Sequence, residues 1–158
     1  MKTLVVYFSR TGHTRQIAHE LAARLHADSE EIREVAQDSS GIFGYLRAGW
    51  QSLTQALPPL APSKKQPEDY ELTLIGTPVW NYGVSAPARA YAKQHSGNFR
   101  RVAFFCTEGG SGDTRAFDQL AKACGAHPVA TLAVTEKELA APAHQAALDK
   151  FVRKLAPH

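Results

Sequence analysis

Apolar and polar positions along the chain switch repeatedly between two periods. Leu4 to Phe8 is an unbroken apolar run, the pattern of a strand covered on both faces. From about Thr14 to His26, Ile17, Leu21 and Leu25 recur at helical spacing with Ala18 and Ala22 beside them, so the first βα unit is predicted there. EEIREV at 30–35 is β-like but heavily charged, which suits an exposed edge strand whose charges discourage further pairing. LTLIG at 72–76 and VAFFC at 102–106 are again buried-looking runs. Helix signals follow each: Ser85 as a cap with Pro87 early in SAPARAYAKQH, and Asp113 as a cap before Phe117, Leu120, Ala121 and Cys124, closed by Gly125. PVATLAV at 128–134 reads as a last strand, and Leu148, Phe151, Val152 and Leu155 as the stripe of a last helix.

Strands alternating with helices imply an α/β fold: a doubly wound, five-stranded parallel sheet with helices on both faces, in a single domain over 1–158. The stretch 36–67 breaks the rhythm. It holds an additional helix, YLRAGWQSLTQAL, ended by Pro58 and Pro59 and followed by a proline-marked crossover. Leu46, Trp50, Leu53 and Leu57 share one face of it, expected to cover the sheet; a dimer surface is the alternative, leaving monomer and homodimer both open.

Composition narrows the classes. With 44% hydrophobic and 21% charged residues in 158, the chain has what a packed core needs and is not a disordered segment. The apolar run near the start ends at Phe8, too short for a signal peptide or a membrane span, so a cytoplasmic protein without a membrane partner is expected. Cys106 and Cys124 lack CxxC spacing and read as two small buried thiols, with no metal site implied. The formal charge is +3, but basic residues are scattered among acids without aromatic interleaving, so no nucleic-acid partner is expected. His19, His26, His95, His127, His144 and His158 show no ligand spacing and are expected at the surface.

In open parallel sheets ligands bind beyond the carboxyl ends of the strands, where the winding reverses. The segments at three of those ends are chemically unusual: Ser9-Arg10-Thr11-Gly12-His13-Thr14, Thr77-Pro78-Val79-Trp80-Asn81-Tyr82-Gly83 and Thr107-Glu108-Gly109-Gly110-Ser111-Gly112-Asp113. A strand order of 2-1-3-4-5 makes them neighbours. The first joins hydroxyl donors to a helix N-terminus, a setting for an anion, and its lack of lysine suits a monoester phosphate held by neutral donors. Trp80 and Tyr82 offer flat rings to a planar ligand, and the glycine-rich third segment offers amides to a polar ring edge. Together they describe a mononucleotide site. Competing motifs fail on single residues. No Gly-Lys-Ser/Thr ending or GxGxxG follows the first strand; Gly112 stands where a phosphatase needs Arg after Cys106; Ala23 breaks HExxH; and Asp113 breaks GxSxG.

VVYFSRTGHT, Val5 to Thr14, resembles the FMN phosphate-binding signature of flavodoxins, IGTPVWNYGVSAP resembles their second, flavin-stacking loop, and FFCTEGGSGD their third. The resemblance runs through almost the whole chain and implies a flavodoxin-like fold with non-covalent FMN. Carried over, Ser9, Arg10, Thr11, Gly12, His13 and Thr14 hold or surround the phosphate, Thr77, Pro78, Val79, Trp80, Asn81 and Tyr82 flank the isoalloxazine, and Thr107, Glu108, Gly109, Gly110, Ser111 and Asp113 cover its pyrimidine edge. The function implied is electron transfer to a redox partner protein or small-molecule acceptor. An NAD(P)H-dependent quinone reductase and a flavin-free interaction module are the alternatives. Two departures stand out: His13 replaces the Asn of many flavodoxins, and the chain is basic where electron-carrying flavodoxins are acidic.

Overall fold

A computed structural model describes residues 1–35 and 57–157. The elements are β1 (Thr3–Tyr7), α1 (His13–Leu25), β2 (Asp28–Glu31), a 3-10 turn (Pro67–Asp69), β3 (Leu72–Trp80), β4 (Gly83–Val84), α2 (Ala86–Gln94), β5 (Val102–Glu108), α3 (Asp113–Cys124), β6 (Pro128–Thr135), α4 (Glu136–Ala140), a second 3-10 turn (Pro142–His144) and α5 (Gln145–Leu155). The sheet runs β2-β1-β3-β5-β6 and these pairings are all parallel. Counted without the two-residue β4, this is the expected order 2-1-3-4-5. The helix expected over 45–57 lies, but for Leu57, outside the described residues.

Alternation along the strands divides the interior into two cores. Val5 and Tyr7 of β1, with Leu74 of β3 and Phe105 of β5, face Ile17 and Leu21 of α1 and Leu148, Phe151 and Leu155 of α5. Leu4 and Val6, with Ile75 and Phe104, face Ala88 and Tyr91 of α2 and Leu120 and Cys124 of α3. A strand side chain changes face at every residue, so an unbroken apolar run such as Leu4–Tyr7 is what a sheet covered on both sides requires. Close packing fixes one position tightly: a Cβ on Gly76 would lie 2.1 Å from Phe105 Cζ.

The structure moves several expected boundaries. The edge strand is Asp28–Glu31 and not 30–35; Ile32 N–H still reaches Tyr7 O at 2.7 Å, but beyond it Arg33 and Val35 pair with 59–61 instead of the sheet. Residues 78–80, expected in a loop, extend β3, because Val79 and Trp80 pair antiparallel with Val84 and Gly83 of β4. Asp113 is not the cap of α3. Gly112 holds that position at φ 106°, and Asp113 opens the helix, its N–H donating to Glu108 Oε2 at 3.1 Å. Ser85 does sit at the N-cap of α2, yet its hydroxyl accepts from Thr77 Oγ1 at 2.8 Å and makes no cap bond.

Two histidines expected at the surface are buried. His95 packs on the Tyr91 ring at 4.5 Å between centroids, and burial lowers its pKa. His144 Nε2 lies 3.1 Å from Glu20 Oε2, between α1 and the start of α5, with its Nδ1 unpartnered. Both rings fill interhelical space that a period count does not reveal. Burial alone would raise the pKa of Glu20, but hydrogen bonds from Gln16, His144 and Gln145 outweigh it and hold the carboxyl lowered. Cys106 and Cys124 are both buried, and burial pushes both thiols up, away from the reactive thiolate. Among the described residues no helix is long and apolar enough to cross a membrane, and no group of three or more potential ligands is gathered for a metal.

Candidate functional site

Beyond the carboxyl ends of β1, β3 and β5 the three unusual segments come together. Gly12 is the N-cap of α1 at φ 100°, a left-handed conformation that glycine adopts without Cβ strain. Its N–H donates to Ser9 Oγ at 3.1 Å, folding the segment back over itself. The first helical bond is Gln16 N–H to Gly12 O, so helix geometry leaves the amides of His13, Thr14 and Arg15 without an intrahelical acceptor. No side chain caps this end and no acid lies in the first turn. A Cβ on Gly12 would meet nothing within 4 Å, so there is open space beside the N-cap. Donors, dipole and space together form an anion cup.

Thr14 ties the cup to the next strand but one. Its hydroxyl is buried and lies 2.8 Å from Thr107 Oγ1, joining α1 to the end of β5. Thr11 and Arg10 are exposed at the rim. The Arg10 guanidinium stands over the Trp80 ring at 5.6 Å, and Phe8 meets that ring edge-on at 5.3 Å. Trp80 is thus held between neighbours from the segment that follows β1, whereas Tyr82 is 69% exposed. His13 Nδ1 lies 3.8 Å from Glu136 Oε1, bringing the end of β6 to the site as well.

The second wall is the β3–β4 hairpin. Asn81 and Tyr82 both take positive φ, 48° and 63°, as a two-residue hairpin turn of this twist requires. The third wall, Gly109–Ser111, is exposed, and with Val79, Asn81 and Tyr82 it lines an open groove of about 490 Å³. The walls touch at Gly112, where a Cβ would come within 2.6 Å of Val79 Cγ1 and 2.9 Å of Tyr82 Cα. Thr77 of β3 and Thr107 and Glu108 at the end of β5 are buried. Burial, then the neighbouring Asp113 carboxylate, raises the pKa of Glu108, against the Asp113 N–H that favours its charged form.

All three segments named from the sequence therefore meet at one rim. Within them, Thr77 is turned to Ser85, and Asp113 is committed to opening α3. Phe8, Glu136 and Gln119 escaped the sequence reading. Glu136 could have been found by applying the strand-end rule to the fifth strand too. Nothing in the sequence marks Gln119, whose Oε1 accepts from Val84 N–H at 2.8 Å across the fold.

A family model described as Flavodoxin matches residues 2–154, and the chain belongs to that family. None of the curated proteins matches it. Among solved structures it is similar to a flavoprotein in complex with FMN from Lactobacillus acidophilus, at 19% identity over 96% of this chain and 98% of that one, TM-score 0.70. A protein described as a flavoprotein from Bacteroides uniformis gives 21% identity over 96% and 97%, TM-score 0.73. An NADH:FMN oxidoreductase in its apo form gives 15% identity over 100% and 92%, TM-score 0.57.

Proposed function

We propose that this protein binds FMN non-covalently and transfers electrons through it. The observation that carries the reading is the uncapped N-terminus of α1, with open space beside its Gly12 N-cap, at the same rim as a groove lined by Tyr82 and a glycine-rich segment. The residues fit the group at both ends. Free amides, nearby hydroxyls and the helix dipole suit a phosphate, and a groove between an exposed aromatic ring and exposed glycine amides suits a flat heterocycle.

Bound FMN supplies the redox chemistry, and the protein supplies binding, orientation and electrostatics. Ser9 and Gly12 shape the cup. Thr14 and Thr107 share a buried hydrogen bond, and whichever is not the donor in that pair is free to donate toward the phosphate. Tyr82, whose backbone lies close to Gly112, presents an exposed ring. Arg10 places a cation at the rim, over the Trp80 ring, where it would favour an anionic ligand.

Titrating the protein with FMN and following flavin fluorescence tests this directly. The parent is expected to quench it, and Thr14→Val and Gly12→Leu to weaken binding, the leucine by filling the space beside the N-cap. Equal binding by both variants would place the site elsewhere, and a protein that leaves FMN fluorescence unchanged is the flavin-free module. A second reading, direct reduction by a nicotinamide, draws on the exposure of Tyr82 and Gly109–Ser111, which leaves the groove open to a second planar molecule. Rapid bleaching of the loaded protein by NADH or NADPH selects the reductase. Slow bleaching, with photoreduction resolving a separate one-electron step, selects the carrier.

A further inference from the structure

Among the described residues some cations have an acid within 4 Å and others, Lys150, Arg153 and Lys154 of the last helix among them, do not. On the α1 side of the sheet, Arg15 and Arg33 pair with Glu31 and Arg24 with Glu20 and Asp149, while on the other side Lys65 approaches Asp28, which also accepts from the Tyr70 hydroxyl. Across the sheet, α2 and α3 lie side by side with a groove of about 510 Å³ between them. Arg89 and Lys93 from α2 and Lys122 from α3 line it, all exposed. None of the three has an acid within 4 Å among the described residues, not even Asp118, one turn before Lys122 on the same helix.

This groove is held in shape by polar contacts that the charges do not supply. Ser96 Oγ donates to Cys124 O at 3.1 Å, fixing the end of α2 to the end of α3. Gln119, on the groove wall, accepts from Val84 N–H. Val84 pairs with Val79, and Val79 lines the candidate cofactor groove, so the β3–β4 hairpin is shared between the two depressions. Three cations from two elements thus converge on a concave surface that abuts the redox site.

We propose that the α2–α3 groove is a docking surface for a protein partner presenting clustered carboxylates. Unpaired cations on a shaped surface attract such a partner from a distance and select against basic ones, an effect on encounter rate and specificity. The charge and geometry stand without the flavin; resting on the proposed function, the partner is one that exchanges electrons with it, seated next to the hairpin.

The test uses the full chain and a fluorescent deca-glutamate peptide at low ionic strength, read by anisotropy and by backbone amide NMR shifts. Binding is expected, with shifts concentrated on α2, α3 and the hairpin and lost as salt is raised. Arg89→Glu/Lys93→Glu/Lys122→Glu is expected to weaken it by about tenfold or more, since each reversal turns an attraction into a repulsion. Lys150→Glu/Arg153→Glu/Lys154→Glu, the same charge change among exposed cations of α5, is expected to cost much less. Equal loss in both triple variants, shifts centred on α5, or tighter binding of a single-stranded oligonucleotide of equal charge overturns the proposal. Unchanged FMN affinity in the groove variant is expected, and shows that docking and cofactor binding fail separately. Loss of FMN binding there would mean that the substitutions act on the hairpin and not on a partner.

Discussion

At the scale of single residues, Gly112 decides whether two walls of the site can meet. It combines φ 106° with a Cβ position 2.6 Å from Val79 Cγ1 and 2.9 Å from the Tyr82 backbone. Gly112→Ala is expected to destabilise the protein by about 1–3 kcal/mol in urea unfolding and to weaken FMN binding by displacing the hairpin. Gly109→Ala is its control: nothing lies within 4 Å of that Cβ and no positive φ is required, so stability should stay within about 0.5 kcal/mol. Tyr82 shows the opposite tension. A tyrosine at φ 63° is strained, and asparagine accepts that conformation more readily. Tyr82→Asn should therefore leave urea stability equal or higher while FMN affinity drops; a variant that loses stability and keeps its affinity contradicts the assignment of this ring.

At the scale of elements, contacts between strand ends and helix starts hold the site together. Thr14→Val removes the bond between α1 and β5 and leaves the buried Thr107 hydroxyl unpartnered, an expected loss of about 1–3 kcal/mol by urea unfolding. Glu108 does the same for α3 and adds a pH dependence of defined sign. Its folded pKa is raised above the unfolded value of 4.5, so the folded state holds the extra proton between the two values. The Glu108 contribution to stability is therefore largest below about pH 4.5 and falls as pH rises through the folded pKa. Glu20, with a lowered pKa, runs the other way: its contribution is present above pH 4.5 and is lost as pH falls through the folded value. Glu108→Gln keeps an acceptor for Asp113 N–H, so the difference in stability between parent and variant should change across that window. A difference that is flat with pH would remove Glu108 as its source. These elements also mark where sequence reading stops. The stripe of α1 and the αL glycine closing α3 were legible because both are properties of adjacent residues. The β3 extension to Trp80 was not, because Val79 and Trp80 become strand only by pairing with Val84 and Gly83.

At the scale of the whole molecule, a ligand that binds only the folded state raises its stability by mass action. FMN at 100 times its dissociation constant should add about 2.7 kcal/mol, which for a domain of this size is a rise of roughly 5–10 °C in Tm. A Tm independent of FMN concentration would argue against specific binding. The order of strands and helices, the two-sided burial and the three chemically unusual segments were already determined by the sequence, because hydrophobic period and local backbone preference act over a few residues at a time. Their meeting at one rim follows from the strand order, which the sequence implied and long-range parallel pairing carried out. Other features belong to the tertiary structure alone: Trp80 held between Phe8 and Arg10, Thr14 hydrogen-bonded to Thr107, Glu136 beside His13, His95 and His144 buried, and Arg89, Lys93 and Lys122 brought to one groove. Each is a contact between residues far apart in the chain, and only the packing of one element against another sets its distance, its burial and therefore its chemistry.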